Sequence, residues 1–282
     1  MRVIYFILIM YALQVSKAHA DEYIAYLQQT DGYWQVWMME ANGESPKQLS
    51  DSQWDKSRIS WFPNNKRILA NGSQGQVTVI NVDSKTETRL EMPVNGAVDA
   101  VVSPDGSSIV FSLSVADSID NNHIWLMDIE SRDLRKLTNL DGLQHEPVWS
   151  LDSTSIYFLS GKGDQNHDIW RLDLETRSIE QITVNSLYNF DLAVADTGVI
   201  AFSSNRNTGD YEIWMLEGGE YHQITQHAGL DARPSFSPDG DRIAFESYRQ
   251  GSMNIWLHSI GDGAVTRLTQ TADGARHPVF SY

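Results

Sequence analysis

RPSFSPDGDRIAFES, Arg233 to Ser247, is the stretch that decides the fold. A short apolar run meets Ser237-Pro238-Asp239-Gly240, and a second apolar run, Ile243-Ala244-Phe245, follows. Proline presets φ for a turn, aspartate bonds its own backbone, and glycine takes the left-handed position. Asp-Gly between apolar runs is a strong hairpin signal. The segment therefore predicts two antiparallel strands joined by a tight turn.

The hairpin recurs. Copies are RISWFPNNKRILANG from Arg58, DAVVSPDGSSIVFSL from Asp99 and EPVWSLDSTSIYFLS from Glu146. A worn copy, DLAVADTGVIAFSS, starts at Asp191, and a truncated one, HPVFSY, runs from His277 to Tyr282. Some twenty residues after each complete copy comes an Ile-Trp pair: Ile124-Trp125, Ile169-Trp170, Ile213-Trp214 and Ile255-Trp256, with Val36-Trp37 as a variant. In VTVINV the Trp is missing, and Val79 is read as its replacement. A short strand ending near Leu-Thr follows, as in Lys136-Leu137-Thr138 and Arg267-Leu268-Thr269.

Four short strands in a period of about 44 residues make one propeller blade. Six first strands can be counted, near Arg58, Asp99, Glu146, Asp191, Arg233 and His277. The last has no partners after it. Tyr23–Leu27, Val36–Met39 and Lys47–Leu49 match the second, third and fourth strands and supply them from the other end. The expectation is an all-β, six-bladed propeller with four antiparallel strands per blade, closed by N- and C-terminal strands sharing one blade. Closure removes free sheet edges, which are otherwise pairing hazards.

Residues 1–20 differ in kind. Arg2, an apolar stretch from Val3 to Val15 and Ala18-His19-Ala20 predict a secretory signal peptide cleaved after Ala20. The apolar stretch is too short to span a membrane. No Cys near the cut is available for lipid attachment, and the chain has no Cys at all. Residues 21–282 are then a single propeller domain, exported to the periplasm or secreted, with no membrane insertion after signal removal. The formal charge is −16, and loss of Arg2 and Lys17 makes it more negative. Nucleic acid and anionic membrane surfaces are repelled by such a chain.

The hairpin SPDG followed by Ile-Ala-Phe, and the loop Ser203-Ser204-Asn205-Arg206 leading to Glu212-Ile213-Trp214, resemble the TolB-type (WD40-like) propeller repeat. The resemblance implies a periplasmic protein-binding module of the cell envelope whose partner is an envelope protein or lipoprotein. The α/β domain that precedes the propeller in that family has no counterpart here, which implies a propeller-only relative.

Aligning the repeats places Arg58, Asp99, Glu146, Asp191, Arg233 and His277 at one equivalent position near the start of each first strand. First strands line the central channel, so these side chains are expected to ring one mouth, with His145 and Arg276 beside them. One reading is structural: opposite charges satisfy one another and keep the channel wet. The other is a binding mouth for a partner or for a polar or charged small ligand or glycan. Arg58 and Arg233 would then anchor anions. The Ile-Trp residues are expected to be core, and no metal or other cofactor is expected. The acidic, amide-rich loops Asp117–Asn122, Gly161–Asp168 and Asn205–Tyr211 match no EF-hand pattern and read as solvated loops.

There is no Gly-x-Ser-x-Gly elbow, phosphate-binding glycine loop or His-Glu-x-x-His, so a non-enzyme is expected. The alternative is a carbohydrate-active enzyme, lyase or glycosidase, using the carboxylates, Arg and His of the mouth. Related lyases rely on a His-rich metal site, and this chain has no matching His set.

Overall fold

A computed structural model describes residues 22–72, 75–114, 122–161, 167–184, 189–206 and 209–282. The signal-peptide segment lies outside the described residues, as does most of the three acidic loops. Six four-stranded antiparallel sheets account for the regular structure, with no helix among the described residues. Blades one to five span 56–89, 97–136, 143–181, 189–223 and 231–267. The sixth is made from both ends: Ala275–Phe280 pairs with Tyr23–Thr30, which pairs in turn with Tyr33–Glu40. The expected six-bladed propeller with a shared closing blade is therefore what forms.

Strand alternation explains the Ile-Trp beat. Neighbouring residues point to opposite faces of a sheet, so each pair serves two seams. Ile169 of blade three shares a buried cluster with Trp214 of blade four. Ile213 of blade four shares the next with Trp256 of blade five, and Ile124 of blade two joins Trp170 of blade three. The aromatic second-strand residue is the Trp's cross-strand partner, as in Phe202 with Trp214 and Phe245 with Trp256.

Register corrects one assignment. Trp37, Trp125, Trp170, Trp214 and Trp256 each lie opposite a second-strand position that is Ala70 in blade one. Ala70 pairs with Thr78, so Thr78 and not Val79 occupies the Trp position. Val77 is the Ile equivalent, buried in the cluster against which Trp125 packs.

A hydroxyl clamp fastens the third strands. Thr138, Thr183, Thr225 and Thr269 accept the backbone N–H of Ile124, Ile169, Ile213 and Ile255 at 2.8–2.9 Å. Ser50 does the same for Val36. The Leu-Thr ending of the repeat is thus a hydrogen-bonding device.

Truncating one seam residue should unfold much of the molecule's margin. Trp214→Ala is expected to cost about 3–5 kcal/mol in urea denaturation. Val184→Ala, at a position 65% exposed, should stay within about 0.5 kcal/mol.

Candidate functional site

All six aligned residues face one central cavity of about 670 Å³. Each lies inside its inner strand, at a β-bulge. Asp99, Glu146, Asp191, Arg233 and His277 have φ between 51° and 57°. That left-handed conformation is costly for side-chain-bearing residues, and a bulge re-aims its side chain. The result is a ring of ionisable side chains turned into the channel, called here its floor. Arg58, without a left-handed backbone, reaches from blade one to the carbonyl oxygen of Pro147 in blade three, donating at 3.1 Å.

The cavity walls rise from this floor toward the Pro-Asp-Gly turns. Val101, Val148 and Val279 are two residues beyond the ring position, and Trp61, Trp149 and Phe280 come next. Pro63, Pro104 and Pro238 stand at the turn end. Ser60, Ser235, Ser237 and Ser281 interrupt these apolar walls, and the cavity is ionic only at the ring.

His145 and Arg276 do not line it. One residue before a ring member, strand alternation turns each away. His145 meets Glu146 at 3.5 Å and stacks edge-on against His167. Arg276 lies flat over Trp34, its guanidinium carbon 3.9 Å from the ring centroid.

Within the floor the charges engage one another. Arg58 faces Asp99 at 3.9 Å. Arg233 faces Asp191 at 3.8 Å and Glu246 at 3.5 Å, and donates to His277 Nδ1. The amide of Asp191 donates to Glu146 at 2.7 Å. Burial, with Arg233, Arg58 and Arg276 around it, holds His277 well below the usual histidine value, so the ring is neutral and can accept from Arg233.

The carboxylates divide. Burial opposes ionisation of Glu146, but His145, Arg58 and the Asp191 amide overcome it and hold it down to about 2. Burial pushes Asp191 up to about 7, and Glu146 and Glu246 add to that push against Arg233. The loose contact with Arg233 and a side chain still 20% exposed to the cavity fit a group near its titration point.

Second-strand residues complete the floor, and sequence reasoning passed over them. Glu246, Ser203 and Asn71 occupy one repeat position and each caps the next blade's inner strand. They accept from the amides of His277, Arg233 and Ala100 at 2.8, 3.1 and 2.9 Å. The signal was partial: this position is Asn71, Ser112, Leu159, Ser203 and Glu246 in five successive copies, polar in four of them. Among the described residues no three His, Asp or Glu side chains are placed to hold one metal ion.

Asp191 makes the floor sensitive to pH. Its folded value lies above that of a free aspartate, about 3.9, so the folded chain binds the extra proton. Stability is then fully present below that value and is lost as pH rises through about 7. Asp191→Asn should match the parent at pH 4 and exceed it by on the order of 2 kcal/mol at pH 8. Chemical denaturation across that range reads the difference.

No protein-family model matches the chain. The Tol-Pal system protein TolB of Nitratidesulfovibrio vulgaris is 28% identical over 137 residues, covering 48% of this chain and 30% of that protein. The chain thus spans less than a third of that relative's length. The TolB crystal structure from Acinetobacter baumannii superposes with a TM-score of 0.80 at 22% identity, covering 92% of this chain and 66% of that one. An oligogalacturonate lyase solved in complex with manganese shares the fold, with a TM-score of 0.62 at 11% identity over 89% of this chain and 74% of that one. Similar to TolB in sequence over about half its length and in fold over nearly all of it, the chain is a six-bladed β-propeller.

Proposed function

We propose that this propeller is a protein-binding module of the cell envelope, working in the periplasm, and that its partner inserts apolar side chains into the central cavity. The observation that carries the reading is the cavity itself, with aliphatic and aromatic walls above a base whose charges already engage one another. Such a vessel resembles the desolvated pockets in which interface anchors sit. Similarity to Tol-Pal proteins supports an envelope partner. The leader at 1–20 supports export, and no helix among the described residues is long and apolar enough to cross a membrane.

The test fills the vessel. Val148 lines the wall and is only partly buried, so Val148→Arg narrows the cavity without emptying a core site. A photo-crosslinker at Val148 should trap one envelope protein from the source organism. Val148→Arg should weaken binding of that purified protein by tenfold or more, with an unchanged melting temperature. Undiminished binding would remove the cavity from the interface.

A second reading, a carbohydrate-active enzyme, is favoured by one observation. Glu146 and Asp191 are adjacent and their titrations are driven apart, as acid and base partners require. It calls for cleavage of acidic polysaccharides that Asp191→Asn abolishes. A protein inert toward uronate and neutral glycan panels would exclude it.

A further inference from the structure

A second acidic site lies at the seam between blades four and five, away from the cavity. Glu212 and Asp231 are 2% and 0% exposed. Three donors reach them. Thr225 Oγ1 donates to Glu212 at 2.6 Å, the His227 amide donates to Glu212 at 2.7 Å, and Arg249 donates to Asp231 Oδ2 at 2.5 Å. Asp231 Oδ1 is buried and meets no donor among the described residues. A buried acceptor left unmet costs about 1–3 kcal/mol, more when charged.

The repeat shows what is unusual. Glu212 occupies the position just before the third-strand Ile, and Asp231 the position two before the ring residue of the next blade. At the equivalent seams the pairs are Gln35 with Lys56, Gln76 with Ala97, His123 with Gln144, Asp168 with Asn189, and Asn254 with Ala275. Lys56 donates to Gln35 at 2.5 Å, and His123 meets Gln144 at 2.7 Å. Three of those seams carry a donor-bearing side chain across the gap and two carry a methyl group. Only the Glu212–Asp231 seam opposes acid to acid.

We infer that Glu212 and Asp231 hold one proton between them, carried on Glu212 and donated to Asp231 Oδ1, forming a proton-linked latch between blades four and five. One guanidinium, Arg249, and one proton then balance two carboxyl groups, and the orphaned oxygen gains its donor. Burial raises Glu212, and the charge of Asp231 raises it further, which agrees with the geometry. The other ionisable residues beside the pair are His227, which offers its backbone amide, and Asp210 and Tyr211, which precede Glu212 in the chain.

The sign follows from linkage. A carboxyl group raised in the folded state contributes most below its unfolded value, about 4.3, and the contribution is lost as pH rises through the folded value. Glu212→Gln replaces the proton with a permanent amide donor. In the full chain it should leave the folding equilibrium unchanged at pH 4 and shift it severalfold toward the folded state at pH 9. Infrared spectroscopy of the parent at pH 7 should show, beside the Asp191 carboxyl, a protonated carboxyl band that is lost in Glu212→Gln and kept in Asp191→Asn, a readout that needs no variant stability. Absence of that band overturns the inference. So does a stability that follows added sodium or calcium instead of pH, which would make the missing charge a metal cation.

Discussion

No blade of this molecule can bury its faces alone, so the ring must close. Each apolar cluster joins residues of two neighbouring blades, and a gap anywhere would strip two seams of their partners. Closure rests on the strand 275–280, which lies between Tyr23–Thr30 and the rest of the inner ring. Ile24 and Tyr26 from one end and Ala275 and Phe280 from the other share a core with Ala244 and Ile255 of blade five. On the other side Trp61 of blade one donates to the carbonyl of Val279. Tyr23 and Ser281 exchange two hydrogen bonds, from the Tyr23 amide to the Ser281 hydroxyl and from the Ser281 amide to the Tyr23 carbonyl. The termini are therefore structural, and the stability of every seam is linked to them.

A closed ring of twisted sheets turns six inner strands toward one axis, and that sets the second constraint. Regular strands would present alternating residues to the axis and leave their polar backbones in the channel wall. The bulges break this pattern at one residue per blade. Five left-handed residues cost of order 1–3 kcal/mol each, and they persist because the neighbouring blade satisfies the backbone exposed by the distortion. Glu246, Ser203 and Asn71 make those bonds across seams. The charged floor is thus a product of seam hydrogen bonding as much as of side-chain choice.

The architecture was legible because its signals are local and repeated. Pro-Asp-Gly turns, Ile-Trp pairs and Leu-Thr endings each depend on a few consecutive residues, and six copies average out the worn ones. Thr78 was misassigned because VTVINV offers an aliphatic residue at nearly the right spacing, and only cross-strand register separates Val79 from Thr78. The ring was legible by alignment, but its left-handed backbone was not, since a β-bulge leaves no composition signature in these strands. His145 and Arg276 show the limit most clearly: one residue along a strand reverses the side that a side chain faces, and the alignment cannot say which side is the channel. Glu246 was hidden for another reason. It stands where other copies carry Asn71, Ser112, Leu159 or Ser203, and its partner His277 is 31 residues away in the next blade.

The floor's charges also bear on what the cavity can recognise. A free guanidinium would make a strong anion anchor, but Arg58 and Arg233 already face Asp99, Asp191 and Glu246. At about 4 Å and an effective dielectric near 20, each such pairing is worth about 4 kcal/mol before desolvation. An incoming anion would have to displace it. It would also meet Glu146, which stays ionised to about pH 2. The carboxylates outnumber the two guanidiniums, and Asp191 relieves the excess by titrating near neutrality. Recognition is therefore left to the apolar walls. Around the blades the same logic recurs at Glu212 and Asp231, where one guanidinium again serves two acids. A strongly acidic chain that buries carboxylates without matching cations must hold protons inside, and it does so at Asp191 in the ring and at the one seam that opposes acid to acid.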